Sequence, residues 1–471
     1  MTHQAYIIKN KKIFILGLGL SGISAARELS KLGAEIYIFD DNKSKEQILN
    51  IISEISANEN KANQIKYCHY QEANWENIDY LLMSPGIPST FPKPHEAVVL
   101  AKQHSVKLTV DIELFVVLIP NANIIAITGT NGKSTTASLI HHVLSNNGKQ
   151  SYLGGNIGVP VFELEINNNS DQYYILELSS YQLELVEKAS FDISILLNIT
   201  ADHIDRHGNM ENYIAAKKRI FNNSKPNQTF IISVDDKYCM EIYNEFKELP
   251  ASGITENKNT AISISNDNEK ADISFLSNMI KYYDEQINFT KESAYFGNKQ
   301  NIIAAFSVAK LCDIENDNII AAMASFKPLQ YRMELLSKKG NISFYNDSKA
   351  TNAESSLNAI KQLKNIYWIA GGVSKSGGIE LITENYLDNI KKVFLIGESQ
   401  KYFAKQLEDE NFYSYQSYET LEDALTDAIS GAKDESDEIN ILFSPAAASF
   451  DMWKNFVERG KDFSRLCNTK K

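Results

Sequence analysis

The stretch ITGTNGKSTT, residues 127–136, sets Gly129, Thr130, Asn131, Gly132, Lys133, Ser134 and Thr135 between an apolar run and a helical one. Glycines leading from a strand into a helix N-terminus aim backbone N–H groups at one spot, where the helix dipole favours an anion. Lys133 can reach the outer phosphates of a nucleotide, and the Ser134 hydroxyl can ligate Mg²⁺. The standard phosphate loop has four residues between its first glycine and Gly-Lys-Ser/Thr. Here only Thr130 and Asn131 intervene, so the segment reads as a shortened loop for a nucleoside triphosphate.

A phosphoryl-transfer site needs metal ligands at strand ends facing that loop. Glu177 closes the apolar run YYILELSS and is a natural Mg²⁺ ligand, although a capping or ion-paired glutamate reads the same way. Asp202, His203 and Asp205 cluster in NITADHIDRHG, after the next apolar run. Lys217, in NYIAAKKRIF, reads by itself as a surface lysine on a helix. Near the N-terminus, GLGLSG places Gly17, Gly19 and Gly22 in the dinucleotide-binding pattern, with Asp40 about 20 residues on. That pattern suits a nicotinamide cofactor, and the same physics holds any diphosphate on a helix N-terminus.

TGTNGKST, with its short spacing, resembles the ATP loop of the Mur ligases and their folylpolyglutamate ligase relatives, enzymes that activate a carboxylate with ATP and form an amide. NITADHIDRHG is similar to the same family's DH-containing segment. YNDSKATN, GGVSKSGG and SPAAASFDMWKNFVERG, in that order, resemble the branch that adds D-glutamate. The resemblance covers nearly the whole chain. It implies an ADP-forming ligase joining D-glutamate to UDP-N-acetylmuramoyl-L-alanine through an acyl phosphate, in the cytoplasmic part of peptidoglycan synthesis. Another Mur or folylpolyglutamate-type ligase, a nicotinamide-dependent oxidoreductase and a nucleotide-binding regulator without turnover are the alternatives.

By the same resemblance, Lys133, Glu177, His203 and Lys217 are catalytic. Ser134, Glu177, His203 and Lys217, the last as a carbamate, are expected to hold Mg²⁺, two ions in all. A lysine that has added CO₂ becomes an oxygen-donor anion, which suits a hard cation. ATP is expected on residues 129–135, with Asn298 and Asn301 on the adenine side and Arg332, Asp347 and Lys349 from the last third. Gly17, Gly19, Leu20, Ser21, Asp40, Ser84 and Asn156 are expected to bind the UDP substrate. Thr351, Lys375, Ser449, Phe450 and Phe456 are expected to bind the incoming amino acid. The chain departs from the family pattern at Val373, where an acidic residue is more usual, and at Tyr331, where His often precedes the arginine. His207 stands where some members carry Tyr and has no expected role.

Positioning these residues requires strands that deliver loops to one edge. Apolar runs alternate with helical stretches almost throughout, predicting an α/β chain with mainly parallel sheets. The expectation is a Rossmann-like domain over 1–111, a central ATP-binding domain over 112–328 and a Rossmann-like domain over 329–471. The first unit pairs strands Ile13–Leu16 and Ile36–Phe39 around a helix ending at Gly33. Residues 262–290 alternate like antiparallel strands about a polar turn at NDNEK.

The 471 residues suit about three domains of about 150 residues. A net charge of −12 argues against nucleic-acid binding, which needs a basic face. Four widely spaced cysteines, 68, 239, 312 and 467, argue for free buried thiols rather than disulfides or a zinc site. The N-terminus MTHQAYIIKNKK lacks an apolar signal core, and no apolar run approaches the ~20 residues of a membrane span. A cytoplasmic monomer without membrane insertion is expected.

Overall fold

Apolar runs such as KIFIL, NIIAIT and IYWIAG form strands because a strand covered by helices on both faces is apolar at nearly every position. Their observed bounds are Lys12–Leu16, Asn123–Thr128 and Ile366–Gly371. The computed structural model describes residues 5–57, 64–222, 225, 227–247, 259–289, 298–375, 377–384 and 386–469. These form two compact units, one ending at Phe326 and the other starting at Lys327.

The first unit carries two sheets. A five-stranded parallel sheet runs in the order Ile65–Tyr67, Glu35–Phe39, Lys12–Leu16, Tyr80–Met83, Lys107–Thr109. A nine-stranded sheet has Asn123–Thr128 at its heart, between Ile193–Leu196 and Gln172–Glu177. Helix Asp111–Leu118 links the two sheets and is apolar nearly all round, so it is buried. Its Ile112 and Phe115 join one core with Ile13 and Ile36 of the first sheet and Tyr174 and Leu196 of the second. On the opposite face of the nine-stranded sheet, helices Lys133–Asn146 and Lys299–Leu311 pack over Ile125, Ile175 and Ile195.

The turn at NDNEK is present, but the antiparallel pairing expected around it is corrected. Strands Thr260–Ser265 and Ile273–Leu276, on either side of it, pair parallel through Ile264 with Ile273 and Ser265 with Ser274. The second strand starts beside the end of the first, so the loop crosses a single strand spacing. Asp272 Oδ2 fixes that offset by accepting from Ser263 N at 2.8 Å and Ser263 Oγ at 2.7 Å. Antiparallel pairing begins one strand later, with Met279–Tyr282 and Glu285–Asn288.

The second unit is a six-stranded sheet ordered Glu334–Lys339, Ile342–Asn346, Ile439–Phe443, Ile366–Gly371, Ile390–Ile396, Tyr415–Ser417. Every neighbouring pair is parallel except the first. All four cysteines are free, and three of them are buried. Among the described residues, no helix is long and apolar enough to cross a membrane.

Candidate active site

In the first unit the glycine loop leaves strand Asn123–Thr128 and enters helix Lys133–Asn146 with Gly132 as N-cap at φ +84°. A β-carbon at Gly132 would lie 2.6 Å from Asn301 Oδ1, so both backbone conformation and space demand glycine there. The loop is pinned to the end of the neighbouring strand. Thr130 N donates to Asn198 O at 2.9 Å, and Thr130 Oγ1 lies 3.1 Å from Thr200 O and 3.0 Å from Tyr213 Oη. Lys133 folds back over the loop, its Nζ donating to Gly129 O and Thr130 O at 2.8 Å each.

Lys217 is not on the surface. Helix Met210–Lys218 turns Tyr213, Ala216 and Lys217 inward, and Lys217 is only 2% exposed. Its Nζ donates to Gly129 O at 2.7 Å, the same carbonyl that Lys133 uses, and lies 4.7 Å from the Tyr213 ring centre. Burial, and then the neighbouring Lys133 ammonium, hold this amine far below the usual lysine range. A neutral amine is a nucleophile toward CO₂, so the environment suits carbamate formation.

Glu177 ends strand Gln172–Glu177 and is 2% exposed. Its Oε1 accepts from Asn156 Nδ2 at 3.0 Å, while its buried Oε2 has no hydrogen-bond partner. Asn156, expected at the substrate, thus also orients Glu177. Ser134 is buried in the first turn of the loop helix. His203 takes a left-handed conformation, φ +55°, as N-cap of the short helix Ile204–His207. Its Nδ1 lies 2.9 Å from Tyr181 Oη and its Nε2 3.6 Å from Asp202 Oδ2. His207 is buried with Nε2 2.9 Å from Ser180 Oγ, and burial lowers its pKa. Among the described residues, no group of three or more His, Cys, Asp and Glu could hold a metal.

The N-terminal glycine turn is drawn tight by Asp40, whose Oδ2 accepts from Leu18 N at 2.6 Å and Oδ1 from Asn42 N at 2.8 Å. Ser84 Oγ donates to Gly17 O at 3.0 Å. Gly19 caps helix Leu20–Lys31, and Leu20 stands 77% exposed at its start. Ser21 bonds the buried carboxyl of Asp111, which burial pushes above the usual carboxylate range. Across the nine-stranded sheet, Asn298 caps helix Lys299–Leu311 by accepting from Gln300 N at 2.9 Å, and Asn301 Oδ1 accepts from Thr136 Oγ1 at 3.1 Å.

In the second unit, three loops converge where neighbouring parallel strands end at Asn346, Gly371 and Phe443, the edge at which such sheets place ligands. Asp347 is buried, with Oδ2 accepting from Ser444 Oγ at 2.6 Å and Oδ1 from Met333 N at 3.1 Å. Burial pushes its carboxyl up to about 7 against those bonds and the Arg332 charge. Lys349 Nζ lies 3.9 Å from the Phe456 ring centre, a cation–π contact. Val373 and Ala448 exchange both backbone hydrogen bonds at 2.9 Å, tying the Lys375 loop to the Ser449 loop. Ser449 is buried, Phe450 is 73% exposed, and Thr351 and Lys375 are half-buried. Arg332 sits between two left-handed residues, Tyr331 and Met333, and the Tyr331 ring packs on Gly460.

Several residues that shape these loops were not anticipated. Asn198 and Tyr213 brace the phosphate loop, Tyr181 contacts His203, and the fully buried Arg459 donates to Ser348 O at 2.8 Å and Ala447 O at 2.9 Å. Asn198 opens the NIT run just before the DH segment and Arg459 lies within KNFVERG, so both sit inside segments already singled out.

Comparison with known proteins gives three matched families: a Mur ligase MurD-like N-terminal domain over 11–107, a Mur ligase middle domain over 127–325, and a Mur ligase glutamate ligase domain over 331–446. The UDP-N-acetylmuramoylalanine–D-glutamate ligase of Wolbachia pipientis wMel is 39% identical, covering 97% of this chain and 96% of its own. The protein of the same name from Rickettsia bellii (strain RML369-C) is 38% identical over 98% of each. The MurF ligase of Thermotoga maritima, solved in complex with ADP, shares the fold with a TM-score of 0.58 at 16% identity over 100% of both chains. Similarity of this extent, across all three matched segments, places the chain in the Mur ligase family.

Proposed function

We propose that this Mur ligase adds D-glutamate to UDP-N-acetylmuramoyl-L-alanine at the expense of ATP, a step of peptidoglycan synthesis. The observation that carries the reading is the meeting of two lysines on one carbonyl. Lys133 of the phosphate loop and the buried Lys217 both bond Gly129 O, and the charge of Glu177, whose Oε2 is unpaired, acts on Lys217. The name shared by the relatives at 38–39% identity supports the choice of substrates.

In the proposed reaction, the terminal alanine carboxylate attacks the γ-phosphorus of ATP, forming a C–O–P bond and releasing ADP. The D-glutamate amine then attacks the acyl carbon. Phosphate leaves with one former carboxylate oxygen, the amine loses a proton, and an amide remains. The protein's work is to align anions and offset their repulsion. Lys133 leaves its two carbonyls to meet the outer phosphates, and the helix start behind it adds N–H donors. Asn156 holds Glu177 in place. Roles for Asn298, Asn301, Arg332, Asp347 and Lys349 toward ATP rest on the family resemblance. So do roles for Gly17, Gly19, Leu20, Ser21, Asp40 and Ser84 toward the UDP moiety, and for Thr351, Lys375, Ser449, Phe450 and Phe456 toward glutamate.

The donor set fits Mg²⁺. Glu177 Oε2 is a buried acceptor lacking a partner, and Ser134 Oγ and a Lys217 carbamate would add hard oxygens. His203, a nitrogen donor, is the member least suited to Mg²⁺. When bound, Mg²⁺ supplies charge that screens the triphosphate from the attacking carboxylate. We propose two such ions, a division into domains near residues 111 and 328, a monomeric state and a cytoplasmic location.

A phosphate-release assay with ATP, Mg²⁺ and UDP-N-acetylmuramoyl-L-alanine, run with D-Glu, L-Glu, D-Ala, L-Lys and diaminopimelate, tests this. Release with D-Glu alone is expected; release with another amino acid and not D-Glu would refute it.

A further inference from the structure

We propose that Asn198 is a positioning residue for the phosphate loop and that Gln300 holds it in place. The proposal rests on the reading of residues 129–134 as the triphosphate site. A side-chain amide can pair with a peptide group through both its donor and its acceptor. Asn198 does this at the middle of the loop. Its Oδ1 accepts from Asn131 N at 2.8 Å, and its Nδ2 donates to Asn131 O at 3.2 Å. The peptide units on both sides of Asn131 are thereby fixed, between Gly129 and Gly132, the two loop residues freest to rotate.

The Asn131 N–H can only donate, so it requires Asn198 Oδ1 beside it, and the groups behind the amide hold it in that same orientation. Asn198 Nδ2 also donates to Gln300 Oε1 at 2.8 Å. Gln300 is buried, and its Nε2 donates to Ser233 Oγ at 2.8 Å and lies 3.4 Å from Asp235 Oδ2. Asp235 acts as an acceptor, taking bonds from Ser265 Oγ and Asn266 N, so Gln300 turns its amide nitrogen toward it and its Oε1 toward Asn198. Asn198 Nδ2 is thus shared between Gln300 Oε1 and Asn131 O, with Oδ1 left to Asn131 N. An order thus runs from Asp235 through Gln300 and Asn198 to Asn131. It starts at the end of strand Thr229–Ser233 and passes through helix Lys299–Leu311, which also carries Asn301. The loop is set in one arrangement before a nucleotide arrives, so binding does not have to supply that order.

Binding of ATP and of inorganic tripolyphosphate, each with Mg²⁺, separates the possibilities, because tripolyphosphate has no base or ribose. Asn198→Ala is expected to weaken both by about tenfold while leaving affinity for the UDP substrate unchanged. Gln300→Ala should weaken both by about three- to fivefold. The double variant should bind no worse than Asn198→Ala alone, since Gln300 acts through Asn198. Three results would overturn the proposal: wild-type affinity in Asn198→Ala, a loss for ATP without one for tripolyphosphate, or multiplying effects in the double variant. If Asn198→Ala does not fold, Gln300→Ala decides, and unchanged binding of both ligands overturns the proposal. Lys133→Ala distinguishes the two levels. Wild-type ATP binding in that variant would mean the loop is not the triphosphate site. Loss of binding there, with Asn198→Ala intact, would remove only the positioning role.

Discussion

Gly132→Ala probes the loop at the point where backbone and packing demands coincide. The residue sits at φ +84°, and an added β-carbon would lie 2.6 Å from Asn301 Oδ1. The left-handed conformation costs an L-residue about 1–2 kcal/mol. Relief of the clash must move Asn301, which breaks its 3.1 Å bond from Thr136 Oγ1. That bond is worth about 1 kcal/mol. The expected loss is about 2–3 kcal/mol, or a fall of roughly 3–5 °C in the first unit's melting temperature. Gly148→Ala is the matched control. Its φ is +73° and nothing lies within 4 Å of the added carbon, so it costs backbone strain alone. Thermal melts and ATP titrations of both variants give the comparison. Gly132→Ala should melt lower than Gly148→Ala and bind ATP at least about tenfold more weakly, a difference of about 1.4 kcal/mol. Gly148→Ala should bind as the wild type does. Equal melting temperatures, or unaltered ATP affinity in Gly132→Ala, would refute both the loop geometry and its role.

Lys133→Ala should keep the wild-type melting profile and lose about 100- to 1000-fold in phosphate release. Lys217→Ala should lose at least about 100-fold, with part of the activity restored by short carboxylic acids that replace the carbamate oxygens; a fully active variant removes the carbamate from the account. Asp347 titrates near 7 when folded, above the ordinary carboxylate value, so the folded state holds its proton more tightly than the unfolded chain. Its contribution to stability is therefore present at low pH and lost as pH rises from about 4 to about 7, by on the order of a few kcal/mol. Urea melts at pH 5 and pH 8 should show the second unit of the wild type losing more stability on this rise than Asp347→Asn; parallel losses would contradict the assigned burial penalty.

The parts of this molecule legible from sequence are those whose physics is local. A strand, a glycine turn and a helix start are contiguous in ITGTNGKSTT, so the loop could be read directly. Apolar runs likewise announced the parallel sheets. The state of Lys217 was not legible, because its burial comes from a helix almost 90 residues downstream packing under the loop carbonyl. Resemblance named that lysine; only the fold explains why burial holds its amine far below the usual lysine range. The parallel pairing at Ile264 and Ile273 escaped for a related reason. Alternation of residue types gives a strand's faces but not its direction, which here depends on Asp272 reaching back to Ser263. Arg459 drew no reading from the sequence and is a buried brace, since it donates to two backbone carbonyls and the Ser348 hydroxyl, partners that only the fold brings to it.

The claim beneath all of this is that a carboxylate is activated by taking the terminal phosphoryl group of ATP. Turnover with UDP-N-acetylmuramoyl-L-alanine carrying ¹⁸O in both oxygens of its alanine carboxylate, read by mass spectrometry of the released phosphate, tests it most directly. One ¹⁸O in each phosphate, with the other retained in the product amide, is the predicted result. Unlabelled phosphate formed together with amide would contradict the account.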